Sequence, residues 1–110
     1  MDGQLAVLLG ALADPTRLRA VELLSVGPRR AGELASASGT SAPTMSRHLR
    51  VLLQAGIVAD ERSPQDARVR VFRLRPESFV AVQAWLDQLQ ADADEQLASF
   101  KHHVERRGPK

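Results

Sequence analysis

Arginine and hydroxyl side chains between residues 40 and 50 have the types and spacing best suited to binding chemistry in this sequence. At helical spacing Met45, Leu49 and Leu52 share one stripe, whereas Arg47 lies almost opposite Met45. The outward face then carries small side chains and arginine. A major groove of duplex DNA accepts such a face, and guanidinium groups pair there with guanine O6 and N7. An ordinary solvated helix also carries arginine, so this helix alone leaves both interpretations open.

Capping and turn residues predict the helices that position this face. Asp14 is a good N-cap and Pro15 a good first residue for a helix running to about Leu24, with Leu18, Val21 and Leu24 inward. An apolar helix with Leu5 and Leu12 precedes it. A short third helix spans about Ala31 to Ser38 and closes at Gly39. Thr40-Ser41 offers the cap of the fourth helix, which runs to about Ala55 and closes at Gly56. This order is the layout of a helix-turn-helix.

An alternating segment after the fourth helix predicts a two-stranded hairpin. Val69 and Val71 fall on one face and Arg70, Phe72 and Leu74 on the other, after turn residues at 63–66. We expect the hairpin to act as a wing along the DNA backbone or in the minor groove, through Arg62, Arg68 and Arg70. The alternative is a solvent-exposed hairpin in which arginine protects the edge.

Basic charge is concentrated around these two elements. Residues 28–75 hold nine Arg, no Lys and four acidic residues, a net charge of +5, whereas the whole chain carries +2. A genome rich in GC explains the use of Arg over Lys but not the clustering. A basic region around a helix and a hairpin is typical of nucleic-acid binding.

The C-terminal third predicts a long amphipathic helix, because apolar residues recur at intervals of three and four residues over some 25 residues. This stripe exceeds what a small core needs, so we expect it to form a dimer interface with the apolar first helix. Packing within one chain is the alternative. The predicted interface residues are Leu5, Leu8, Leu9, Trp85, Leu89, Leu97 and Phe100.

Together these elements predict a mainly α (α+β) winged helix-turn-helix: four helices, a two-stranded wing and a long C-terminal helix. We expect residues 1–110 to form a single DNA-binding domain. Four stretches then occur in order: ALADPTRLR (11–19), GELA (32–35), SAPTMSRHLRVL (41–52) and AGIV (55–58). Through them the chain, from about Leu9 to Leu74, resembles the ArsR/SmtB-type winged-helix repressors.

The resemblance implies a homodimer, a near-palindromic operator and repression relieved by a signal. It places base contacts at the positions of Ala42, Pro43, Ser46 and Arg47. With the neighbouring polar residues, the predicted DNA contacts of this helix are Ser41, Ala42, Pro43, Thr44, Ser46, Arg47, His48 and Arg50. Arg17 and Arg19 could touch phosphate, but a structural role is favoured.

The sensing chemistry of that family is not recognisable here. Many relatives use a cysteine pair in the third helix, and this chain has no cysteine. Others use Asp and His on the last helix. Asp92, Asp94, His102, His103 and Glu105 lie there, but their spacing departs from that pattern, and adjacent His residues point about 100° apart on a helix. We therefore predict no metal and no cofactor, and the effector, a small molecule or a protein, stays open.

Other function classes fit the sequence less well. The chain has three His, at 48, 102 and 103, with no plausible triad and no phosphate-binding glycine loop, so we do not expect an enzyme. No apolar run approaches a membrane span, and the N-terminus lacks a basic signal region, so we expect a cytoplasmic protein without a membrane partner. The major groove of double-stranded RNA is too narrow to accept the predicted recognition helix, so RNA binding is not expected. A winged helix that only dimerises or docks to proteins is the main alternative.

Overall fold

The computed structural model describes residues 3–106 and confirms the predicted order of elements. A short 3-10 turn precedes the last helix. The elements are α1 (Gly3–Leu12), α2 (Pro15–Leu24), α3 (Ala31–Ser38), α4 (Ala42–Gln54), β1 (Val58–Arg62), β2 (Arg70–Leu74), the turn (Pro76–Phe79) and α5 (Val80–Arg106).

The start of α2 is fixed by the predicted side-chain cap. Asp14 has extended backbone, and its carboxylate accepts hydrogen bonds from the N–H groups of Thr16 (2.8 Å) and Arg17 (3.0 Å). The hydrogen bond from Arg17 is the largest cause that lowers the pKa of the Asp14 carboxyl below its ordinary value. Pro15 follows in the first turn, where its missing N–H costs no hydrogen bond.

Two glycines with left-handed backbone conformation follow the ends of α3 and α4. Gly39 has φ +66° and follows α3, where the next N–H, that of Thr40, donates to Ala35 O at 3.0 Å. Gly56 has φ +77° and turns the chain from α4 into β1, with Ile57 N–H donating to Leu52 O at 3.0 Å. An L side chain is strained at such φ values, so both turns depend on glycine.

The core combines α1, α2, α3, α4, the start of β1 and Phe72 of β2. Its fully buried side chains are Leu8, Leu34, Met45, Leu49, Leu52, Ile57 and Val58. One predicted core position is wrong: Leu18 is 46% exposed. Helix α2 buries Leu24, as predicted, together with Ala20, which was not predicted. Residues 20 and 24 are one turn apart, and the small Ala20 allows close packing that an apolar pattern weighted to leucine misses.

The hairpin is antiparallel, with Val58 opposite Leu74 and Arg62 opposite Arg70. Its second strand also pairs with the loop between α2 and α3. Phe72 N–H donates to Arg29 O at 2.8 Å, and Arg29 N–H donates to Phe72 O at 3.0 Å. Phe72 is buried. The root of the hairpin is therefore joined to the helix-turn-helix by backbone hydrogen bonds.

The chain divides into two compact units, Met1–Phe79 and Val80–Lys110. The second unit is α5, which within the described residues buries no side chain completely. Three Gln–Asp hydrogen bonds of 2.9 Å, each joining residues one turn apart, support the helix: Gln83–Asp87, Gln88–Asp92 and Gln90–Asp94. None of the helices in residues 3–106 is long and apolar enough to cross a membrane.

Candidate nucleic-acid interface

Helix α4 has one buried side and one exposed side, as its sequence predicts. Met45, Leu49 and Leu52 are at most 1% exposed. Ser46 and Arg47 are exposed on the opposite side. The apolar stripe thus fixes the rotation of α4 and leaves the small and basic residues facing outward.

Hydroxyl groups at the start of α4 hold Arg47 in place. Ser41 Oγ accepts a hydrogen bond from the Thr44 N–H (3.3 Å) and donates to Thr44 Oγ1 at 2.9 Å. Thr44 Oγ1 in turn accepts from Arg47 Nη2 at 3.3 Å. One guanidinium N–H is committed by this chain of contacts, and the remaining N–H groups of Arg47 can donate to another acceptor. An arginine already oriented loses less side-chain freedom on binding.

Ala42 and Pro43 are exposed beside this arginine, and neither carries a polar side-chain group. They allow a close approach to a surface at the first turn of α4. Pro43 has no N–H and the Thr44 N–H donates to Ser41 Oγ, so of residues 42–44 Ala42 is the one that can offer its backbone N–H to an anion.

His48 lies on a different side of α4. It is partly buried, and its Nδ1 lies 3.3 Å from Arg17 Nη1, while Arg17 Nε donates to Ala11 O at 2.6 Å. A guanidinium can only donate, so Nδ1 accepts this hydrogen bond and the ring proton of neutral His48 sits on Nε2. The structural role expected for Arg17 is confirmed, since it ties α1 and α2 to α4. A DNA contact by His48 stays a prediction.

The wing arginines differ in how they are paired. Arg68 forms two hydrogen bonds of 3.1 Å with Asp66, through Nε and Nη2. Arg70 Nε donates to Asp60 Oδ2 at 2.7 Å. Within residues 3–106 Arg62 is exposed and makes no ion pair. Of the three predicted wing contacts, Arg62 is therefore the one that could bind a phosphate without first breaking an ion pair to a carboxylate.

The carboxylates of these pairs remain charged to low pH. A side-chain hydrogen bond from Arg70 is the largest cause lowering the pKa of Asp60, and one from Arg68 does the same for Asp66. Both pairs are solvent-exposed, and exposed ion pairs contribute little to stability. A phosphate can replace the carboxylate at low cost, so pairing does not remove Arg68 or Arg70 from a phosphate-binding surface.

Sequence reasoning missed the hydrogen bonds between Arg29 and Phe72. The available signal was Pro28, which favours extended backbone in its neighbourhood, after α2 has ended at Leu24. It also missed the ion pair between Arg73 Nε and Glu61 Oε2, at 3.3 Å across the hairpin. Opposite charges near each other on paired strands were the signal for that contact.

The predicted dimer residues fall into two groups. Leu5 and Leu8 are 5% and 2% exposed within the single chain, so they have little surface left for a second chain. Leu9 and Trp85 are partly exposed. The other three lie on α5 with large apolar exposure, which is 47% for Leu89, 67% for Leu97 and 65% for Phe100. An interface would therefore draw mainly on α5.

The sequence has no cysteine. Across residues 3–106 there is no group of three or more His, Asp and Glu side chains placed to hold a metal ion. The expectation that the chain binds no metal stays a prediction.

Comparisons with known proteins point to one family. Residues 14–60 match the model described as bacterial regulatory protein, arsR family. The chain is 44% identical over 77 residues to the HTH-type transcriptional regulator Rv2034 of Mycobacterium tuberculosis, covering 70% of this chain and 69% of that protein. It is 40% identical over 55 residues to the transcriptional repressor SdpR of Bacillus subtilis, covering 50% of this chain and 61% of SdpR.

A solved structure gives the same result at the level of fold. The homodimeric winged helix-turn-helix DNA-binding domain of a possible ArsR-family regulator from Mycobacterium bovis aligns with a TM-score of 0.60 and 31% identity, covering 86% of this chain and 82% of that domain. The family match at residues 14–60 covers the Asp14 cap, α2, α3, α4 and the start of β1. These elements build the exposed face of α4. Because the family model, the relatives and the solved domain all agree, the chain belongs to the ArsR/SmtB family of winged helix-turn-helix transcriptional regulators.

Proposed function

We propose that this regulator is a homodimeric, sequence-specific DNA-binding repressor. Helix α4 enters the major groove, and the hairpin follows the neighbouring backbone or minor groove. The observation that carries the proposal is the exposed start of α4, where Ser41 and Thr44 hold Arg47 beside the small residues Ala42 and Pro43. Because the opposite side of α4 is locked in the core, this is the face it can present.

Repression and a two-fold operator are supported by the relatives. SdpR is named a repressor, and the Mycobacterium bovis domain is described as homodimeric. Two copies related by two-fold symmetry place two α4 helices about one DNA turn apart, so a near-palindromic operator follows from the symmetry. In this proposal residues 1–110 serve as one functional domain, with α5 supplying most of the contact between copies.

The decisive experiment titrates the full chain into fluorescently labelled duplexes from its own promoter region and into random duplexes of equal length. We expect the promoter duplex to bind at least about 10³-fold more tightly at physiological salt. Affinity should fall linearly on a log–log plot against salt, because arginine–phosphate contacts release counterions.

Equal affinity for promoter and random duplexes would contradict sequence-specific reading. No binding to either duplex, from a chain that still forms dimers, would favour the protein-interaction alternative.

A further inference from the structure

A cavity of about 210 Å³ lies between α4 and β2, beside the DNA-facing stripe of α4. Its apolar lining comprises Ala31, Leu49, Leu53 and Phe72. Leu49 and Phe72 are only 1% and 4% exposed, so Ala31 and Leu53 offer most of the accessible apolar surface. Ordinary ligand cavities measure roughly 300–1,000 Å³, so this one suits a small molecule of one or two rings.

The polar part of the cavity carries two guanidinium groups, one of which is paired with Asp60. Ser46, Arg50 and Arg70 line it. The hydrogen bond from Arg70 to Asp60 uses Nε and leaves the two Nη groups, and the guanidinium carbon lies 4.8 Å from the centre of the Phe72 ring. Within residues 3–106 Arg50 makes no hydrogen bond or ion pair to another side chain. Two arginines beside one apolar cavity favour a planar anion, since guanidinium groups pair with a carboxylate through two parallel hydrogen bonds.

We propose that this cavity binds a small aromatic carboxylate and that its occupation excludes DNA. The ring fills the space beside Leu49, Leu53 and Phe72, and the carboxylate meets Arg50 and Arg70. Ser46 and Arg50 are one turn apart on α4 and both belong to the predicted DNA-contacting set. A ligand held there neutralises positive charge and occupies space where DNA would lie. The exclusion step rests on the proposed function, whereas the binding step does not.

The binding step is tested without DNA, by calorimetric titration of the full chain with 2-naphthoate. Its control is 2-naphthylmethanol, which keeps the ring and replaces the carboxylate with an uncharged group. We expect a submillimolar Kd for 2-naphthoate and binding at least about tenfold weaker for the alcohol, because only the carboxylate pairs with the arginines. No heat from 2-naphthoate at millimolar concentration, or equal binding of both compounds, overturns the assignment.

Two substitutions that fill the cavity locate the site. Leu53→Phe and Ala31→Leu each add side-chain volume at a lining position, and each should weaken 2-naphthoate binding at least about tenfold while circular dichroism stays unchanged. Whichever variant remains folded is sufficient. Arg47→Ala is the matched control, since Arg47 is on α4 but does not line the cavity, and its Kd for 2-naphthoate should not change. A folded filling variant that binds normally places the ligand elsewhere and contradicts the proposal.

The exclusion step adds 2-naphthoate to the promoter-duplex titration. At ten times its Kd, a competing ligand should weaken DNA affinity about tenfold, and this loss should disappear in the filling variant. Unchanged DNA affinity with ligand bound overturns exclusion. If the chain binds 2-naphthoate in the cavity but prefers no duplex, the binding step is supported while the proposed function fails, so the two failures are distinguishable.

Discussion

At the scale of single residues, Arg47 has the best defined role in the proposed interface. Its guanidinium is exposed and oriented by Thr44, which Ser41 positions in turn. The type and outward direction of Arg47 follow from the sequence through the helical wheel. The hydrogen bonds that orient it do not, because they depend on rotamers that spacing alone does not specify.

Replacing Arg47 with alanine tests this role. If Arg47 pairs with a guanine edge, Arg47→Ala should weaken promoter binding by about 1–3 kcal/mol and change random-duplex binding much less. Fluorescence anisotropy on both duplexes measures the difference. Arg106→Ala is the control: it removes the same charge from an exposed position at the end of α5, outside the predicted contacts. Equal losses on both duplexes for Arg47→Ala would make Arg47 a phosphate contact.

At the scale of elements, the sequence predicted helices and strands well wherever a local signal sets their limits. Asp14, Ser41 and Gly39 act through neighbours in sequence, so the bounds of α2, α3 and α4 could be found without a structure. Leu18 and Arg29 could not be placed in this way. Their surroundings are set by contacts between elements: α2 packs on the side of Ala20, and Arg29 pairs with a strand more than forty residues away.

The turn between α3 and α4 gives a prediction at this scale. Gly39→Ala should destabilise the chain by roughly 1–2 kcal/mol, because φ +66° is strained for an L residue. A Cβ there meets nothing within 4 Å, so the loss measures backbone strain alone. Urea unfolding gives the free energy.

Two matched variants keep the Gly39 measurement interpretable. Gly39→Asn should lose less, since asparagine tolerates the left-handed region. Gly10→Ala, in α1 with equally open surroundings, should stabilise by about 0.5–1 kcal/mol. A stabilising effect of Gly39→Ala would show that glycine is not required at this turn.

At the scale of the whole molecule, the exposed apolar residues of α5 form the surface through which we propose that two copies associate. Leu86, Leu89, Leu97 and Phe100 are 47% to 67% exposed and recur at helical spacing. The sequence located this stripe correctly. It did not distinguish the exposed residues of α5 from Leu5 and Leu8, which are buried within the single chain. An apolar pattern predicts that a residue is covered, but not whether its own chain or a second chain covers it.

A charge on this stripe should produce monomers. Two-fold symmetry places both copies of Leu97→Glu in one interface, so the dimer should weaken at least about a hundredfold. Light scattering during size-exclusion chromatography should then report half the mass. Ser99→Glu is the control, because residue 99 lies about 200° around the helix from residue 97. A Leu97→Glu variant that remains dimeric would place the interface elsewhere.

The hydrogen bonds between Arg29 and Phe72 have a consequence for how this family can diversify. They fix the base of the hairpin, whereas the tip is closed locally, with Ser63 N–H donating to Val69 O at 2.8 Å. Lengthening a loop closed in this way costs little chain entropy. Insertions at the tip would extend the reach of the wing while its base kept its place. Evolution or a designer could therefore adjust wing length separately from the base contacts that we propose for α4.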